Sequence, residues 1–188
     1  MFLDIGLGIV SSILVSEYFG IPLHSSLVIS GILFALLPDA DLMIRILQRK
    51  SIRHNAYEHR SILHLPLLYI PIGAAVLFLI FGQTWALLFA FASFFHFAHD
   101  SFGIGRGVEW LYPFSKNGYA FLYMHSRKTK RGLWQWIFVF DKEAIERFDA
   151  AHGDDDWIKN IYLSWHPFSL FEYVGFLLSI ILLYFYVR

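Results

Sequence analysis

Three short stretches hold the residue types that could do chemistry. They are Asp39 and Asp41 in LLPDADL, His59, Arg60 and His64 in EHRSILHL, and His96, His99 and Asp100 in HFAHD. Neutral imidazole and carboxylate both ligate zinc or manganese, and the first pair of acids adds hard oxygen donors. His96 and Asp100 stand four residues apart, so a helix places them on one face. Two acids on an apolar approach repel one another and are costly to desolvate; a bound dication removes both costs. Each stretch also has a plain account: a histidine reaching interfacial water, a turn and cap after Pro38, a cationic anchor at Arg60. Their coincidence at helix ends is what favours a shared site. His125 in a basic turn and the acidic run HGDDDW suit solvated roles, and His54 lies in a basic loop.

The elements that must position these groups are apolar. The chain has 188 residues, 57% hydrophobic and 19% aromatic, with a formal net charge of zero and no cysteine. Thiolate metal sites and disulfides are thereby excluded. From Ser61 to His99 there is no Asp, Glu, Lys or Arg, a run long enough for two crossings at ~20 residues each. Leu63–Phe81 and Trp85–Gly103 are expected as a transmembrane hairpin, with Pro167–Val187 as a further span that tolerates Glu172. Leu23–Leu37 reads as a shorter one ended at Pro38, and Phe2–Val15 as the weakest, spanning or interfacial. Asp4 and the lack of a basic leader argue for a retained segment, not a cleaved signal. The expectation is an all-α polytopic membrane protein of four to five transmembrane helices. Residues 1–188 form a single membrane domain, and 104–166 a polar interfacial insertion between the last two spans.

Fourteen of the fifteen Lys and Arg fall within Arg45–Arg60 and Arg106–Lys159. Basic loops face the cytoplasm, and an even number of crossings separates the two windows. Both windows, and all three polar stretches, are therefore expected on the cytoplasmic side of an inner or plasma membrane. In 104–166, YAFLYM and LWQWIFVF flank a basic turn and read as either a hairpin or two interfacial helices, which periodicity alone cannot separate. DKEAIERFDAAHG reads as a short amphipathic helix, and GIGRGVEW as a mobile lip beside the site. Nucleic acid is excluded as a partner, because the basic runs are short and the positive-inside rule already accounts for them.

LLPDAD, HRSILH, HFAHD and GVEWLYPF, in that order, resemble the signature of the YdjM-like family of LexA-regulated, inner-membrane, metal-dependent hydrolases. The resemblance covers residues 20–115. It implies metal-site roles for Asp39, Asp41, His59, His64, His96 and Asp100, beside Arg60 and the Leu111–Pro113 segment. It also implies a histidine near the N-terminus, which His24 could match if the first half were re-entrant. Leu42 departs from the family, where histidine often follows the second Asp. The helix carrying His96 and Asp100 is also similar to zinc phospholipases C and related nucleases.

Residues and resemblance together lead to a membrane-embedded metal-dependent hydrolase acting on a phosphoester of a lipid or other amphiphile. Zinc is the first candidate cofactor and manganese the second, held by Asp39, Asp41, His59, His64, His96 and Asp100. Arg60 suits a phosphate clamp, and Asp41 or His99 a general base or an orienting group. The alternatives are a metal-ion or proton transporter, which needs ligands at several depths, and a non-catalytic scaffold clamped by metal.

Overall fold

The computed structural model describes residues 2–40, 62–103, 107–123, 136–141, 156 and 158–188. Mostly helical, these residues form two compact units. The first comprises Met1–Pro38, Leu68–His99 and Phe171–Arg188. The second comprises the described residues within Asp39–Leu67 and Asp100–Leu170.

Five α-helices are present among the described residues: α1 Phe2–Phe19, α2 Ser25–Leu36, α3 Pro66–Phe81, α4 Gln83–Asp100 and α5 Pro167–Val187. Two of them, α1 and α5, are long and apolar enough to cross a membrane, while α2 and α3 are apolar but shorter. The start of the chain, the weakest candidate by sequence, is thus a full 18-residue helix. At the other end, α5 coincides with the span expected from sequence. The expected hairpin is also helical on both sides, but its break is narrower than the FGQT stretch, Phe81–Thr84, expected to divide the two spans. Gly82 alone interrupts it at φ +88°, its N–H donating to Phe78 O at 3.0 Å, a left-handed stop open to glycine at no steric cost.

Within the first unit, α1 is the inner helix. Gly8 and Gly31 bring α1 and α2 so close that a Cβ on Gly8 would lie 2.6 Å from the Gly31 carbonyl. Small residues permit this approach, and Ser12 then donates to Leu27 O at 3.0 Å across the gap. Val15, Leu27 and Leu88 form a buried cluster from α1, α2 and α4, walled by Phe19, Phe34 and Phe91. Leu3 packs over Gly175 of α5, and Tyr186 donates to Ser16 at 3.2 Å. The other face of α5, with Leu177, Leu178, Ile181 and Phe185, is exposed, as suits a helix whose outer surface meets lipid.

The second unit departs from the all-α expectation. A three-stranded sheet runs β1 Phe102–Gly103, β2 Gly118–Tyr123, β3 Ile137–Phe140, parallel between β1 and β2 and antiparallel between β2 and β3. Of the two structures left open for YAFLYM and LWQWIFVF, the described residues form the strand pair. The cause is composition and pairing. β-branched and aromatic residues suit a pleated surface, and alternate positions Gly118 and Ala120 turn inward, with Phe140 opposite Gly118. Gly107–Trp110, expected within a mobile lip, is tied down: Val108 exchanges two backbone hydrogen bonds with Tyr119, at 3.0 and 2.9 Å, and is fully buried. The residues of the expected amphipathic helix after Asp141 lie outside the described residues.

Candidate metal centre

Three turns of chain in the second unit bring Asp39, His64 and Asp100 together. Asp39 closes the 3-10 turn Leu37–Asp39 that ends α2, where Pro38 helps to break the α-helical ladder. His64 closes a second 3-10 turn, Ile62–His64, just before Pro66 opens α3, a position proline favours because no N–H is required there. Asp100 is the last residue of α4. The chain leaving it is held at once: Ser101 O accepts from Phe121 N at 2.6 Å, and Ser101 Oγ accepts from Trp110 Nε1 at 2.7 Å.

His64 is 6% exposed, and its Nε2 lies 3.5 Å from Asp39 Oδ1 and 3.7 Å from Asp100 Oδ2. These gaps are too long for charge-assisted hydrogen bonds, which run to ~2.9 Å. They match two donors on one ion: ligands ~2.1 Å from a tetrahedral zinc stand about 3.4 Å apart. The three ligand atoms lie within 4.8 Å of one another. Both acids also sit at helix C-terminal ends, where the backbone dipole disfavours an anion and favours a cation. A dication between them would offset that cost.

His96 stands one turn before Asp100 on α4, on the face that Asp100 shares. In the first unit it belongs to a buried polar set that the motifs do not announce. Asp4 Oδ1 accepts from His96 Nδ1 at 3.1 Å and from His99 Nδ1 at 2.9 Å. His99 Nε2 faces Glu172 Oε1 at 3.6 Å. Asp4 is 1% exposed, and His96 and Glu172 are fully buried. Of the two roles open to His99 from sequence, this placement suits the orienting one, since a carboxylate faces each of its nitrogens. The motifs do not include Asp4 or Glu172, although an acid within an apolar helix is itself the signal of a functional group; Glu172 is the single acid of α5, while α1 carries Glu17 as well as Asp4.

Asp41, His59 and Arg60 lie outside the described residues. His24 does not meet the expectation of a re-entrant first half. It is the exposed N-cap residue of an unbroken α2, whose 12 residues lie between it and the turn carrying Asp39, about 18 Å of helix.

Apolar helices that gather carboxylates and imidazoles at their ends define a membrane protein with a candidate metal centre. The family model for YdjM inner membrane proteins matches residues 4–187, and the chain belongs to that family. The match runs well beyond the motif-bearing stretch 20–115 and takes in both Asp4 and Glu172. No curated protein and no solved structure matches the chain.

Proposed function

We propose that the chain is a membrane-embedded, metal-dependent hydrolase of a phosphoester in a lipid or other amphiphile, its site on the cytoplasmic side. Asp39, His64 and Asp100 would hold the cation, with His96, Asp41 and His59 as further donors by their place in the sequence motifs. The observation that carries this is the spacing of His64 Nε2 between two carboxylate oxygens, 3.5 and 3.7 Å. Two imidazoles and two carboxylates suit zinc first and manganese second. A dication held there would lower the pKa of water from ~15.7 towards ~7 and so supply a nucleophile at neutral pH. Asp41, where it is not a ligand, would take the proton, and Arg60 would bind phosphate oxygens through its planar fork. His99, held by Asp4 and Glu172, supports α4 from behind. Four to five helices cross the bilayer, and anionic headgroups meet the two basic windows.

Transport is the weaker account. Asp4 is the third residue of α1, Glu172 the sixth of α5, and His96 and His99 end α4. These groups gather at helix ends and do not string along a path. The test is metal analysis of the full chain purified in detergent, with hydrolysis of phosphatidate and of p-nitrophenyl phosphocholine measured with and without chelator. Zinc bound near one equivalent, with turnover abolished in Asp39→Ala and His96→Ala, is expected. Absence of any bound transition metal after metal-replete expression overturns the proposal. Metal uptake into proteoliposomes that needs His96, without hydrolysis, favours transport instead.

A further inference from the structure

Asp4 is the most consequential residue that the motifs do not predict. Its carboxylate is buried, and one oxygen lies within hydrogen-bond distance of Nδ1 of both His96 and His99. A carboxylate only accepts, so each ring must donate its Nδ1–H to it. That choice leaves Nε2 of a neutral ring as the lone-pair atom. For His99 this nitrogen faces Glu172 Oε1 at 3.6 Å, so that pair must share one further proton. For His96 it is the nitrogen left to meet a cation.

We propose that Asp4 is a positioning residue of the metal centre: from α1 it holds His96 in the Nδ1–H tautomer, so that Nε2 is the ring's donor to a divalent cation. The inference rests on the metal-site proposal above and adds a residue to it. Histidine ligands commonly donate their second ring N–H to a carboxylate, which fixes the tautomer, aims the ring and raises its basicity. Here the orienting acid comes from a helix 92 residues away in sequence, so docking of α1 against α4 and assembly of the ligand set are one event. Glu172 complements the arrangement from α5. By facing His99 Nε2 it provides that ring with a second carboxylate, while Asp4 remains shared between the two rings.

A carboxylate that merely pinned α1 to α4 through the same contact would also require Nδ1–H, but it would leave metal affinity alone. The experiment therefore reads the tautomer and the zinc affinity together. Imidazole 15N–1H correlation spectra of the metal-free full chain in detergent, with His96 assigned by its loss in His96→Gln, are expected to show His96 protonated at Nδ1. Zinc affinity, measured by chelator competition, is expected to fall about 10–100-fold in Asp4→Ala. Asp4→Asn, which keeps an acceptor oxygen, is expected to recover part of that loss. Protonation of His96 at Nε2 in the unsubstituted chain overturns the inference whether or not the variants fold. Wild type that binds zinc while folded Asp4→Ala binds it equally well overturns this inference alone. Wild type that binds no zinc overturns the metal-site proposal and this inference with it.

Discussion

Replacing Asp100 with Asn is expected to stabilise the metal-free protein and abolish its response to zinc. Asp39 and Asp100 offer oxygens within 4.8 Å of one another, and the two side chains are 28% and 22% exposed. At that separation two ionised carboxylates repel by about 3.5 kcal/mol at an effective dielectric of 20. Water at their exposed edges screens this to ~2 kcal/mol, and the dipole at the end of α4 adds ~0.5 kcal/mol against Asp100. At about 2–4 °C per kcal/mol for a chain of this size, chelated Asp100→Asn should melt some 5–10 °C above chelated wild type. Zinc at a hundred times its Kd stabilises wild type by ~2.7 kcal/mol, about 5–10 °C. The variant should gain little. The assay is thermal unfolding in detergent at pH 8, with chelator and with zinc, for both proteins. A chelated variant that melts well below chelated wild type would show that Asp100 serves as a structural partner of His64. Equal zinc shifts in the two proteins would remove Asp100 from the ligand set.

Other expectations are as direct. Gly8→Leu forces a side chain into the Gly31 backbone and should cost about 1–3 kcal/mol, read as a lower melting temperature or loss of folded yield; a neutral effect would contradict the close packing of α1 on α2. Trp110→Phe removes the 2.7 Å bond to Ser101 Oγ and should cost about 1 kcal/mol, measured in the same melt. Reporter fusions at residues 83 and 150 should fall on opposite sides of the membrane, the second in the cytoplasm; the same side for both would break the proposed topology.

How much was legible in the sequence follows from the range of the forces involved. The apolar run of Pro167–Val187 defined α5 end to end, because length and hydropathy are properties of the segment itself. His96 and Asp100 were legible as one face for the same reason, since the helical repeat relates residues four apart whatever surrounds them. The FGQT stretch marked the hairpin break, though not how narrow it is. The sheet in the second unit was not decided locally. GYAFLY and IFVF carry aromatic and branched residues that suit strand or buried helix, and only the Gly118 to Phe140 register settles which.

The site divides along the same line. Residue types and their places at helix ends were enough to nominate Asp39, His64, His96 and Asp100. Only the tertiary structure could show that Asp4 and Glu172 stand against His96 and His99. Their contacts span 92, 95 and 73 residues of sequence, and no periodicity reports a hydrogen bond formed when separate helices pack. Sequence determined which side chains could bind a cation. The packing of α1 and α5 against α4 decided which groups hold its histidines from behind, because a buried carboxylate is tolerable only where donors from another element reach it.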